Sequence, residues 1–333
     1  MATTITTTTA LPPSWTLTPS ARESIFHDSI APHEVLPHLL HRPQPPTTQP
    51  LAVLLVGQTG AGKTRLAPAL ADAIAARRAG HHPPAHFIAD TYKTYHPHYQ
   101  ACLTSHPQHA SALAGLDARV WLSMACALAA EHRLDALVES ACRHPDDFAR
   151  LAEVFHSAGY RVRVAVLAVP PPLSRLGILV RFFANLPEAQ SRGLPLRLTP
   201  KRVHDESFAG LGPAARFIDD GGAVDGVVVV RRGNLRVYAN ERRPGGGGGG
   251  GWVGEGRVVD VLERERRRGL SAEERAMARR DVEALRALGD EKVDELVGEV
   301  EGLLEGVGED EDEDEGLGLE PLDAEGFVWG GVE

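Results

Sequence analysis

Eight residues constrain this chain more than any others. Gly57-Gln58-Thr59-Gly60-Ala61-Gly62-Lys63-Thr64 has the spacing G-x-x-x-x-G-K-[ST], with the apolar run Leu51–Val56 before it and a helical stretch from about Gly62 to Arg78 after it. Glycines so placed let a backbone wrap a phosphate chain with its N–H groups turned inward. The following helix presents its positive end to the same anion. Lys63 can reach the terminal phosphates, and the Thr64 hydroxyl can hold Mg²⁺. A Gly-rich turn with an incidental Lys would match the letters but not the flanking strand and helix. All eight residues are expected to bind nucleotide.

The rest of the segment repeats the alternation of strand and helix. His86–Ala89 leads through a loop to a long helix ending near His132, and Leu134–Glu139 leads to a helix around Asp146–Ser157. Val162–Val169 leads to a helix over Ser174–Asn185, and a further helix starts at Thr199, with Thr199 as N-cap and Pro200 at the first helical position. Gly226–Val230 and Leu235–Asn240 read as a closing hairpin that turns at Gly233-Asn234. Nearly uniform apolar strands separated by helices predict an α/β, P-loop kinase-like fold, its mostly parallel sheet covered on both faces.

The expected organisation has five parts. Residues 1–19 begin Thr-rich and uncharged and read as disordered, followed by the kinase-like domain over 20–243. That domain opens with short helices between Ser20 and Leu40 and a stiff connector, Pro43 to Pro50. Residues 244–256 hold seven consecutive glycines and read as a flexible linker. Residues 257–305 read as a charged helical extension, in which Ser271 and Glu274 form a capping box and the arginines of Arg264–Arg268 lie on a solvated face. Residues 306–333 read as an acidic disordered tail.

Charge and cysteine content narrow the function classes. The formal charge is −10, but eleven acids and no Lys or Arg fall between Glu309 and Glu333, so the remainder is near neutral. Such a balance recommends neither nucleic acid nor a membrane surface, and 5% aromatic residues leave little for base stacking. No run approaches the ~18 uncharged apolar residues of a membrane span. Cys102, Cys126 and Cys142 are odd in number without metal-like spacing, which predicts reduced thiols in the cytoplasm.

Carboxyl ends of parallel strands face the ligand crevice. Asp90, just past the His86 strand, can accept a hydroxyl proton there, or it can simply cap a turn. Glu139 closes the next strand and can position an acceptor, or it can be a solvated strand-end acid. Arg181 and Arg197 flank a Pro/Gly-containing loop, Asn185 to Leu196, suited to a lid, although either arginine could simply be solvated.

Together these residues resemble the zeta toxin kinases. The resemblance rests on Asp90-Thr91-Tyr92-Lys93 with His96-Pro97-His98-Tyr99, on Glu139 with Arg143, and on Ala168-Val169-Pro170 with Leu176-Gly177 and Arg181. It continues through Arg197, Thr199-Pro200-Lys201 and His204-Asp205, collinear over about Ser20 to Arg243. It implies a kinase using ATP or GTP with Mg²⁺, and an acceptor such as the sugar 3′-hydroxyl of UDP-N-acetylglucosamine. Lys63 and Thr64 then resemble the nucleotide and metal contacts, Asp90 the general base, and Arg181 and Arg197 the phosphate-stabilising arginines. Thr91, Glu139 and Arg143 fall on the substrate side. The family's E-G-T element reads Glu139-Ser140-Ala141 here. An antitoxin-like partner cannot be read from one chain. The alternatives are phosphotransfer to another hydroxyl (nucleoside, antibiotic or polynucleotide end) and a nucleotide-gated binding module without phosphotransfer.

Overall fold

The computed structural model describes residues 15–41, 49–78, 80–191, 198–243, 251–308 and 319–330. Most of the Thr-rich start, the Pro-rich connector and the glycine run, together with the whole acidic run Glu309–Glu315, lie outside the described residues. The disorder expected over residues 1–19 does not hold for residues 15–19. Trp15 stacks on His98 with ring centroids 5.4 Å apart, and Thr18 caps the helix α1 (Pro19–Ile25).

Strand β1 (Leu51–Val56) is buried along its whole length, because successive side chains feed opposite layers. Ala52, Leu54 and Val56 join one core, while Leu51, Val53 and Leu55 join the other. Helix α2 (Lys63–Ala76) follows it, then β2 (Ala85–Ile88), the short α3 (Ala89–Tyr92), α4 (Tyr99–Ser105) and α5 (Pro107–Glu131). Next come β3 (Ala136–Ser140), α6 (Pro145–Ser157), β4 (Arg161–Leu167), α7 (Pro171–Ser191) and α8 (Lys201–Asp220). Strands β5 (Gly226–Val230) and β6 (Arg236–Glu241) complete a sheet of order β2-β3-β1-β4-β5-β6. All neighbours pair in parallel except the β5–β6 hairpin. Gly233 and Asn234 both take positive φ at its turn, as the sequence predicts.

Two local expectations shift. Pro200, with φ −63° and ψ 146°, is itself the N-cap of α8, so Thr199 lies one residue outside it. Helix α7 runs on to Ser191 through Pro187, so the proposed lid loop is helical over its first part, and residues 192–197 lie outside the described ones.

Within α5, His109–Glu131 has the length and hydropathy of a membrane span. Its packing is that of a core helix. Ala114, Ala118, Trp121, Ala125 and Ala129 are fully buried, and its Asp117 pairs with Arg22 of α1 and with His96 at 3.4 Å.

The helices beyond the glycine run dock on the domain: α9 (Val258–Arg267), α10 (Ala272–Arg286), α11 (Glu291–Glu305) and α12 (Ala324–Trp329). Glycines free the backbone between two segments but do not stop apolar faces from meeting. Helix α9 buries Val258 and Leu262 against α8, and both its first amides donate to the Asp219 carboxylate, at 2.7 and 3.1 Å. Helices α10 and α11 pack on α7, and the predicted capping box is present. The solvated reading holds for Arg264 and Arg267 but not for Arg268, which is 8% exposed and clamps Glu274 with two bonds of 2.6 Å. The tail reading fails over 319–330, where α12 packs on α2 and the Phe327 carbonyl accepts from Arg163.

Cutting the chain after Arg243 is therefore expected to expose apolar faces of α8, α7 and α2. A melting temperature lower by ~10 °C or more is expected, at roughly 2–4 °C per kcal/mol for a chain of this size. Calorimetry of the truncated chain checks this, and an unchanged transition would show the extension to be dispensable.

Candidate active site

The turn from β1 into α2 is built so tightly that side chains are excluded. A Cβ on Gly60 (φ +83°) would lie 1.9 Å from the Ser174 carbonyl oxygen, and one on Gly57 would lie 2.8 Å from the Leu167 Cβ. Gly62 takes φ +105°, and a Cβ there meets nothing within 4 Å, so the loop is open on that side. Thr59, Gly60, Gly62, Lys63 and Thr64 line a cleft of about 1390 Å³ at the carboxyl ends of the strands. Gly57, Gln58 and Ala61 lie beneath it, with Gln58 and Ala61 buried.

Lys63 donates to the Gly57 carbonyl at 2.7 Å and the Gln58 carbonyl at 3.4 Å. Burial pushes its pKa down, opposed first by the charge of Glu139. Thr64 is exposed in the first turn of α2. Among the described residues no group of three His, Cys, Asp or Glu side chains could cage a metal. A hydroxyl beside a phosphate loop fits Mg²⁺, which keeps several waters and is commonly held through substrate phosphates.

Asp90 follows β2 in the first turn of α3, its side chain 80% exposed and its Oδ1 2.6 Å from Lys93 Nζ. Crowding by the cleft walls raises its pKa. The charges of Lys93, Arg181 and Lys63 outweigh that and hold the carboxyl below its ordinary value. Glu139 is 7% exposed at the end of β3, in register with Leu55 of β1 and Ile88 of β2. His86, which sequence reasoning missed, lies with Nε2 3.0 Å from Glu139 Oε1. The alternation of β2 was the signal available: His86 and Ile88 share a face beside Glu139.

The remaining sequence candidates divide. Arg181 lines the cleft from α7. Arg143 lines it from the loop after β3, its guanidinium bonded to Glu206 of α8. Thr91 is exposed and is not among the cleft residues. Arg197 lies outside the described residues. Arg119 of α5 and Asp147 of α6, 3.0 Å apart, form a wall of the cleft that the sequence did not announce.

The zeta toxin family profile matches residues 38–243, more than half of the chain. The chain belongs to the zeta toxin family. It is 26% identical over 226 residues to Toxin PezT of Streptococcus pneumoniae serotype 4, covering 64% of this chain and 81% of that one. The solved structure from the PezAT chromosomal toxin–antitoxin system of Streptococcus pneumoniae superposes with a TM-score of 0.62 at 20% identity, covering 82% of this chain and 98% of that one. A structure of AvrRxo1-ORF1:AvrRxo1-ORF2 with ATP is more distant, with a TM-score of 0.46 at 15% identity, covering 91% of this chain and 93% of that one. The family's P-loop kinase-like fold is thus present, with helices α9–α12 lying beyond the matched region.

Because neighbouring cations lower the Asp90 pKa, any activity that needs its carboxylate should persist until the pH falls below the ordinary carboxylate range. Lys93→Ala removes the nearest cation, so the acid limb of a pH–rate profile should move to higher pH. A limb that stays in place would separate Asp90 from the rate-determining proton transfer.

Proposed function

We propose that this chain transfers the γ-phosphoryl group of ATP or GTP to a hydroxyl of a small molecule, with a nucleotide-sugar such as UDP-N-acetylglucosamine as the first acceptor to test. One observation carries the reading: the Asp90 carboxylate is open to the same cleft as Lys63 and Arg181, and it lies in the field of both. Phosphoryl transfer asks for a carboxylate that orients the attacking hydroxyl and for cations around the transferring group.

In this reading the loop amides and Lys63 hold the β- and γ-phosphates, while the Thr64 hydroxyl holds Mg²⁺, whose charge offsets that of the phosphates. Asp90 orients the acceptor hydroxyl and takes its proton. Arg181 approaches the transferring phosphoryl from α7. Glu139, fixed by His86 through Oε1, keeps Oε2 for a donor on the acceptor. The family resemblance supports the nucleotide-sugar. The change of E-G-T to Glu139-Ser140-Ala141 bears on that contact and makes the acceptor the quantity to measure.

Two further proposals rest on the relatives and on the thiols. The similar PezT belongs to a system titled toxin–antitoxin, and we propose a protein antitoxin as partner here too. The three free cysteines are buried, which fits a reducing, cytoplasmic setting.

The deciding measurement is transfer of label from γ-labelled ATP into a pool of sugar nucleotides. One labelled species is expected, and none with Lys63→Ala; an unlabelled pool would remove the nucleotide-sugar reading. Asp90→Asn should keep nucleotide affinity while the chemical step falls on the order of 10²-fold, or less where the transition state is loose. Glu139→Gln should instead raise the acceptor KM. Single-turnover rates at saturating acceptor distinguish the two, and the opposite pattern would exchange their roles.

A further inference from the structure

His204 and Asp205 belong to the motif at the start of α8, yet the chemistry above leaves them unused. Gln58, fully buried within the phosphate loop, donates through Nε2 to the Val169 carbonyl at 2.6 Å and to Ser174 Oγ at 3.2 Å. Ser174 Oγ lies 2.8 Å from His204 Nε2, and His204 Nδ1 lies 3.1 Å from Asp205 Oδ1. Asp205 is in turn held by Arg175 at 2.8 Å. An ionised carboxylate only accepts, so Nδ1 carries the imidazole proton and Nε2 accepts from the Ser174 hydroxyl. Burial lowers the His204 pKa and keeps the ring neutral, as this arrangement requires.

A second arm reaches the loop from the same turn of α8. Ser207 Oγ donates to the His204 carbonyl at 2.8 Å and accepts from the Thr59 amide at 3.2 Å. The atom order Ser–His–Asp is that of a nucleophilic triad, but Ser174 is fully buried and is not among the cleft residues. Beyond the family-matched region, Arg266 of α9 lies over the Phe208 ring at 3.1 Å, and that ring stacks on His204 with centroids 6.2 Å apart.

We propose that His204 is a positioning residue for the phosphate loop, its imidazole holding Gln58 through Ser174 and its backbone carbonyl holding Thr59 through Ser207. The inference rests on the nucleotide-binding reading of that loop. Loss of the Ser207 arm leaves the Thr59 amide short of its acceptor. Loss of the imidazole lets the Ser174 hydroxyl turn to the Pro171 carbonyl, 3.0 Å away, and changes how Ser174 holds Gln58. Either loosens residues 57–62, whose amides must converge on phosphate.

The test titrates wild type, Ser174→Ala, Ser207→Ala, His204→Leu and His204→Gln with a fluorescent ATP analogue and follows amide hydrogen exchange. Ser207→Ala and His204→Leu should weaken binding by about tenfold and speed exchange at 57–62 by a similar factor. Strands β1 and β4 should exchange as in wild type. His204→Gln keeps an acceptor for the Ser174 hydroxyl and should bind within about threefold of wild type. Ser174→Ala removes one oxygen from the imidazole arm, should impair binding and loop protection as His204→Leu does, and carries the test if His204→Leu does not fold. Unchanged loop exchange in Ser174→Ala or Ser207→Ala, or a Gln variant as impaired as the Leu variant, overturns the proposal. A wild type that binds no ATP would end the kinase reading instead, while the exchange comparison still decides the role of His204.

Discussion

The cleft depends on a packing constraint at one turn. Strand β1 is buried on both faces, so the chain leaving it has no solvent to turn into and must pass between β4 and α7. Gly57 lies against Leu167 and Gly60 against the Ser174 carbonyl, at separations that no side chain tolerates. A loop pressed so closely onto the first turn of α7 can be braced by that turn and by the first turn of α8. Sheet burial and phosphate-loop geometry are therefore one requirement expressed at two levels.

The same arrangement sets the electrostatics. Parallel strands deliver Asp90 and Glu139 to the sheet edge where β1 delivers Lys63. The carboxylates temper the burial cost of Lys63, and Lys63 with Lys93 and Arg181 keeps Asp90 ionised. Each charge is tolerated because its partners arrive from adjacent elements, which isolated ions in a low-dielectric cleft could not achieve. Phosphoryl transfer makes few covalent demands on a protein and large electrostatic ones, so this mutual support is the chemistry the fold contributes.

What the sequence made legible follows from where its signals are local. The phosphate loop, the five parallel strands and the hairpin at Gly233-Asn234 each carry their cause within a few residues. Cleft walls do not. Arg119 and Asp147 meet through the packing of α5 on α6, and no periodicity marks either as facing a ligand. A motif match likewise names neighbours without saying which line the cleft: Asp90 and Lys93 do, whereas Thr91 between them does not. The glycine run misled for a related reason, since it reports backbone freedom and says nothing of where the next apolar face binds.

Docking of the extension changes how its buried charges should be read. Glu265, 3% exposed, accepts from Arg231 at 2.6 Å and from Arg268 at 3.1 Å, and Arg268 in turn clamps Glu274. Arg231 stands at the end of β5, immediately before Arg232, which lines the cleft and donates to the Leu173 carbonyl. A buried ion network is weak as a source of stability, because desolvation offsets much of the attraction, but breaking one member costs about 3–5 kcal/mol. Its directional bonds fix α9 and α10 to the hairpin in one arrangement, where an apolar patch of the same area would allow sliding. Arg232 and Leu173 border the phosphate loop on that side, so the hairpin must be held in place for the loop's support to be rigid. Helices that lie outside the family-matched region are thus tied, through the β5–β6 hairpin, to the residues that border the phosphate loop.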